Sequence, residues 1–278
     1  MIRILIDSSS DYTMEEIKEK KLTLVPLTVT IDGTSYIEGE NLERNEFYEI
    51  LKTCAEFPKT SQPSPEAFLN VFEDAKKAGD SVICILLSSS LSGTCQSAHL
   101  AKSMAEYEDI HIIDSLSATA GIKMMADYAC RLVAEGLSVE EIVAKVENMK
   151  SRVHIFAALD TLEYLYKGGR LSKASAAIGT LARLKPIISV NEEGKIDVVG
   201  KAIGQQKAIS GILDQYQKYE RDEAFPIYTL YTYDAGNCEK METKLLKNDI
   251  RSEDRTSIGS IIGAHVGPGA YGIVFVSK

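Results

Sequence analysis

The 278-residue chain has no apolar stretch near the roughly 20 residues that a bilayer-spanning helix needs, so an integral membrane protein is not expected. Cations are also scarce. The 31 Lys and Arg against 40 Asp and Glu leave a formal net charge of −9, which opposes a polyanionic partner, so no nucleic acid is expected. The five cysteines, Cys54, Cys84, Cys95, Cys130 and Cys238, are odd in number and scattered, without the close spacing of a zinc site. They read as reduced, packed thiols, with no metal. The apolar start Ile2-Arg3-Ile4-Leu5-Ile6 stops at Asp7, short of the about 7 to 15 residues of a secretory core, and a cytoplasmic protein is expected.

Several catalytic signatures are missing too. There is no G-x-S-x-G elbow and no Walker A sequence. Gly267-Pro268-Gly269-Ala270-Tyr271-Gly272 satisfies the dinucleotide glycine pattern in form, but a terminal strand is expected after it instead of a helix, so no such cofactor is expected. Asp7-Ser8-Ser9-Ser10-Asp11 lacks the closely paired acids of metal-dependent phosphoryl transfer.

What is present is a 45% hydrophobic content, enough to fill real cores, on a chain long enough for two domains. In the first half, apolar runs at residues 3–6, 22–30, 81–87 and 110–113 alternate with helical patterns, the signature of βαβ units and a parallel sheet. Thr13 with Glu16 and Ser138 with Glu141 fit capping boxes, and Ser64-Pro65 fits an N-cap followed by proline. Helices are expected over 124–135 and 139–149, after which the first domain ends. The second half reads as strands at 153–159, 186–190, 195–199, 226–231, 256–261 and 272–276, with Asn191-Glu192-Glu193-Gly194 as a hairpin turn. The fold class is therefore α/β in two domains: a Rossmann-like parallel-sheet domain over 1–150 and an α+β domain with a mixed or antiparallel sheet over 151–278.

Two hydroxyl-rich loops stand before helices: Thr60-Ser61-Gln62-Pro63-Ser64, and Ser88-Ser89-Ser90-Leu91-Ser92-Gly93-Thr94 after an apolar strand. Free N–H groups at such junctions attract anions, and open α/β sheets bind ligands there. The plainer reading is that the serines of the second loop cap its helix. Ser64 has a capping duty in the first loop, whereas Thr60 and Ser61 have none. Lys167-Gly168-Gly169-Arg170-Leu171-Ser172 reads as the end of one helix and the start of another, with Arg170 a solvated charge on the plain reading. Gly263-Ala264-His265-Val266-Gly267-Pro268-Gly269 reads as a tight turn in which His265 is a turn residue or points into a site.

Taken together, these segments and Ile113-Asp114-Ser115 resemble the DegV family of bacterial fatty-acid-binding proteins over about residues 2–277. The resemblance implies one long-chain fatty acid of the palmitate or oleate class in a buried tunnel between the domains, as ligand and not as cofactor. Its carboxylate would meet Thr60 and Ser92, with the Gly93 N–H and Ser61 nearby, and Arg170 and His265 at the pocket mouth. Some members of that family are acyl-binding subunits of bacterial fatty acid kinase, which feeds phospholipid metabolism and whose partner is a separate ATP-binding subunit. The resemblance thus implies a non-catalytic protein. The competing reading is a lipid hydrolase or acyltransferase with Ser92 as nucleophile and His265 as base.

Overall fold

The computed structural model describes residues 1–171 and 183–278, which build three sheets. In the first half, β1 (Ile2–Asp7), β2 (Thr23–Val25), β6 (Ser81–Leu86) and β7 (Ile110–Asp114) form a parallel sheet in the order β2-β1-β6-β7. In the second half, β8 (Val153–Ala158), β9 (Leu184–Val190), β10 (Ile196–Ile203), β11 (Tyr228–Tyr231), β12 (Asp254–Ser257) and β13 (Tyr271–Val276) form a mixed sheet in the order β10-β9-β8-β13-β11-β12. Its β11 and β12 run parallel and its other neighbouring strands antiparallel. The expected α/β class, with a parallel-sheet domain and a mixed-sheet domain, is the observed one.

The third sheet was not anticipated. It is small and antiparallel, made of β3 (Thr28–Ile31), β4 (Thr34–Tyr36) and β5 (Lys59–Ser61) in the order β4-β3-β5. The single strand expected over 22–30 is in fact β2 and β3, in two different sheets. Pro26 lies between them and has no N–H to continue a ladder, so the chain leaves one sheet there and enters the other. The strand expected over 256–261 also divides: β12 ends at Ser257, and Ser260–Val266 is a helix. A short apolar run does not distinguish a strand from a buried helix by its periodicity.

Local signals held where their partners are local. Thr13 and Ser138 each make both bonds of a capping box, and Ser64 accepts from the Ala67 N–H ahead of Pro65. The Asn191–Gly194 turn joins β9 to β10, with the Asn191 N–H donating to the Lys195 carbonyl. The five cysteines are free. Among the described residues, no helix is long and apolar enough to cross a membrane.

The helix Ala120–Ala134, which begins at Ala120 and not at residue 124, packs against β1 and β6 on one side and β8 and β13 on the other. It is the shared core of the two halves, buried continuously from Ala120 to Ala126. Lys123 within it is only 5% exposed; its Nζ lies 2.6 Å from Glu16 of the first half and 2.8 Å from Asp254 of the second. Replacing it with methionine keeps the bulk but strands two partly buried carboxylates. Lys123→Met should therefore lower stability by about 1 to 3 kcal/mol. The check is a reduced urea midpoint at an unchanged m-value; an unmoved midpoint would mean that the lysine does not join the halves.

Candidate functional site

The loop after β6 is set by a buried acid at the end of β1. Asp7 Oδ2 accepts from the Leu87 N–H at 2.7 Å, and Oδ1 accepts from the Ser9 N–H at 2.9 Å. Burial raises the Asp7 pKa and outweighs those accepted bonds. Beyond Leu87 the serines divide their duties. Ser88 Oγ donates to the Gly194 carbonyl at 2.8 Å and Ser90 Oγ to the Glu193 carbonyl at 2.6 Å, fastening the β9–β10 turn of the other half. Their expected capping role is thus corrected. The N-cap of the helix Thr94–Ala105 is Gly93, with no side-chain cap bond to its first N–H groups. Ser92 Oγ pairs with Thr94 Oγ1 at 2.9 Å.

The first hydroxyl loop reaches the same place from the small sheet. Thr60 stands on β5 opposite Val29, and its Oγ1 lies 2.8 Å from His265 Nε2. Gln62 crosses directly over Gly93: a Cβ at 93 would sit 1.9 Å from Gln62 Oε1, so any side chain there would displace the Gln62 amide. His265 is in the last turn of the helix Ser260–Val266, not in a loop, and its Nδ1 has no hydrogen-bond partner among the described residues. That nitrogen packs on Gly168, where a Cβ would lie 2.1 Å away, which explains one glycine of the Lys167-Gly168-Gly169-Arg170 run. The helix Glu163–Lys167 ends there as expected. Ser172 and the helix expected after it lie outside the described residues. Arg170 Nε donates to the Leu91 carbonyl at 3.0 Å, and Nη1 donates to the Gly168 carbonyl, so the guanidinium ties the second loop to this turn.

These groups surround a cavity of about 50 Å³ between the two halves. Thr60, Ser92, Arg170 and His265 supply its polar end; Leu27, Leu87, Leu165, Ile196 and Ile261 are among its apolar walls. Ser61, expected nearby, is exposed, pairs with Thr28 and is not part of the lining. Gly93 lies just behind Ser92, under Gln62. A second cleft of about 560 Å³ is larger, and its lining mixes Ser10, Thr13, Glu38 and Arg44 with Met14, Ile17 and Leu24. The smaller cavity is the better candidate because its lining is mainly apolar with a few convergent polar groups, which gives both affinity and register.

Among the described residues, the charge at the polar end is the Arg170 guanidinium. Burial, helped by the charge of Arg170, lowers the His265 pKa to about 4, so the ring is neutral at pH 7. Burial also lowers the Arg170 pKa. His265 Nε2 faces Thr60 and Ser92 faces Thr94, so among the described residues no base is hydrogen-bonded to Ser92. Among the described residues, no group of three His, Cys, Asp or Glu stands in a metal-binding arrangement.

A family model described as an uncharacterised protein of the DegV family matches residues 1–278. The chain belongs to the DegV family. It is 39% identical over 279 residues to a DegV domain-containing protein of Caldanaerobacter subterraneus subsp. tengcongensis, covering 100% of this chain and 99% of that protein. Among solved structures, it resembles a DegV family protein of Thermus thermophilus described by its fatty acid binding, at TM-score 0.88 and 31% identity, covering 100% of this chain and 99% of the other. A stearic-acid-binding protein of Eubacterium ventriosum matches at TM-score 0.88 and 28% identity with the same coverage. The DegV of Bacillus subtilis, described as a fatty acid binding protein, matches at TM-score 0.83 and 31% identity, again over 100% and 99%.

In this DegV-family chain the sequence singled out the polar end of the cavity but not its walls. Ile261, Ile262, His265 and Val266 all line it, and their helical spacing was present but hidden by the reading of a strand followed by a turn. A histidine whose folded pKa is near 4 binds fewer protons folded than unfolded. Its contribution to stability is whole above the ordinary 6.5 and is lost as pH falls toward 4. His154, half-buried and also lowered to about 4, acts in the same direction. His265→Gln should therefore make the fall in stability between pH 6.5 and 4 less steep, read from urea midpoints at several pH values. An unchanged slope would mean that the ring is already charged in the folded protein.

Proposed function

We propose that this chain binds one long-chain fatty acid of the palmitate or oleate class between a domain spanning about residues 1–150 and another spanning 151–278, and catalyses no reaction itself. The observation that carries the proposal is the convergence of Thr60, Ser92 and a neutral His265 at one end of an otherwise apolar cavity. The carboxylate takes hydrogen bonds from Thr60 and Ser92 and from the Gly93 N–H; Arg170 and His265 stand at the mouth. The fatty-acid-binding relatives support this choice of ligand. Ser61, exposed on the outer side of β5, is left with at most an indirect part.

The energetics favour tail over head. Burying about fifteen methylenes at roughly 0.8 kcal/mol each offers on the order of 12 kcal/mol before ordering costs, against about 1 kcal/mol for each neutral hydrogen bond. The tail sets affinity and the hydroxyls set register. The about 50 Å³ now enclosed is far below the roughly 300 Å³ at which ligand pockets begin, so loading moves the apolar walls apart.

A head group held by hydroxyls, with the Arg170 guanidinium at the mouth tied to the Leu91 and Gly168 carbonyls, suits a carrier that hands its ligand on. The finer reading is that the protein works in the cytoplasm and presents the carboxyl group to a separate ATP-binding kinase subunit that makes the acyl phosphate. A hydrolase built on Ser92 is the weaker alternative, because His265 bonds to Thr60 and Ser92 to Thr94.

Denaturing extraction and lipid mass spectrometry of freshly purified protein should release a stoichiometric C14 to C18 acid. The Thr60→Ala, Ser92→Ala double variant, short of two hydrogen bonds, should bind it about 10- to 30-fold more weakly. A wild type that is empty and also resists loading would overturn the proposal. Loaded protein mixed with an active kinase subunit and ATP should yield acyl phosphate; persistent failure with active partners would remove the finer reading and leave the carrier.

A further inference from the structure

Thr60 and Ser92, the two hydroxyls at the polar end, arrive there on segments of unequal support. Ser92 stands just before Gly93, the N-cap of the helix Thr94–Ala105, and its N–H donates to the Ser88 carbonyl at 3.1 Å. Thr60 is the middle residue of β5, a 3-residue strand at the edge of the small sheet that pairs with β3 alone. So short a ladder does little to fix how far Thr60 stands from the loop across the cavity. The side chain of Gln62, just past β5, supplies a direct tie. Its Nε2 donates to Ser97 Oγ, in the first turn of the helix Thr94–Ala105, at 2.8 Å. Among the described residues this is the hydrogen bond that joins the first hydroxyl loop to the helix behind the second. Gln62 is exposed, but Ser97 is 2% exposed, and loss of the amide would leave its buried hydroxyl without that partner.

To reach Ser97 the Gln62 amide lies across Gly93, where a Cβ would stand 1.9 Å from Oε1, 2.7 Å from Cδ and 2.9 Å from Nε2. The backbone does not ask for glycine at this position: φ is −76° and ψ is 12°, which an L-residue can adopt. Gly93 is bare because of what lies on it. An alanine there would be accommodated by swinging the end of a flexible side chain aside, a small disturbance to the fold that breaks the bond to Ser97.

We propose that Gln62 is a positioning residue for the head group: by spanning Gly93 to reach Ser97 it fixes the separation of Thr60 and Ser92, so that one carboxylate meets both hydroxyls, and Gly93 is glycine to admit it. The proposal rests on the reading that the cavity holds a fatty acid. Gln62 is not part of the cavity lining and acts on the head group through the two loops. A carboxylate held by two donors at once is sensitive to their spacing, because a hydrogen bond weakens steeply once its length and angle leave the favourable range. With the tie cut, one of the two bonds is stretched or bent, while burial of the tail is unchanged.

The test is equilibrium binding of a fluorescent C16 fatty acid. Gln62→Ala should weaken it about three- to tenfold, and so should Gln62→Leu, which keeps bulk without the bond. Gly93→Ala, which leaves Gln62 in the chain but displaces its amide, should weaken binding to a similar degree. Gly93→Ala joined to Gln62→Ala should be no worse than either alone, because both cut the same tie. In the Thr60→Ala, Ser92→Ala protein, Gln62→Ala should have no further effect, whereas a loss through general loosening of the fold would persist there. Full-strength binding in Gln62→Ala, additive losses for the pair, or a loss that survives without the two hydroxyls would overturn the proposal. The tie can be judged apart from the ligand by the side-chain amide NMR signal of Gln62 in lipid-free protein, which should move in Ser97→Ala. A signal that moves, in a protein whose wild type takes up no fatty acid, would uphold the tie and sink the ligand reading; a signal indifferent to Ser97→Ala would sink the tie itself.

Discussion

The helix Ser260–Val266 is the piece on which the site depends, because it stands where the small sheet, the helix Arg44–Leu51 and the helix Glu163–Lys167 meet. Its seven residues are too few to be stable alone. Packing and distant hydrogen bonds hold it, and they come from both halves of the chain. The same helix presents His265 to Thr60 and three aliphatic side chains to the cavity. Whatever positions its first turn therefore positions the polar end of the pocket too.

Around that helix, ion pairs stand at the seam between the halves, and the cavity lining holds the Arg170 guanidinium. Lys123 with Glu16 and Asp254 joins the two halves, and the Arg44–Glu38 pair of the first half reaches the Ser257 carbonyl and the Ser260 N–H of the second. Inside the cavity the single guanidinium is engaged by backbone carbonyls, and the imidazole is neutral. An acid seated there would meet hydroxyl dipoles and a guanidinium already tied to two backbone carbonyls, while the aliphatic walls would provide the larger share of the free energy. That division is what a reversible carrier of the proposed ligand requires.

Legibility in the sequence followed the distance between partners. Thr13 with Glu16, Ser138 with Glu141, and the Asn191–Gly194 turn were readable because each is complete within a few residues. The parallel strands were readable because burial on both faces makes them continuously apolar. The helix Ser260–Val266 was not, since its capping carboxylates lie 248 and 222 residues away in the chain. The serines of the second loop looked alike in sequence and differ in the fold. Ser88 and Ser90 are spent on the opposite half, whereas Ser92 faces the cavity. Pro26 was a visible break, but its consequence, a move into a third sheet, depends on β5, whose three residues carry no strand signal of their own.

The most direct test of the account is a crystal structure of the protein loaded with palmitate. The account predicts one carboxylate oxygen within hydrogen-bond distance of Thr60 Oγ1 and Ser92 Oγ, and a tail that runs between Leu27, Leu165 and Ile261 with the walls moved outward. A carboxylate found instead beside Arg44 in the open cleft, with the cavity behind Thr60 still closed, would contradict it.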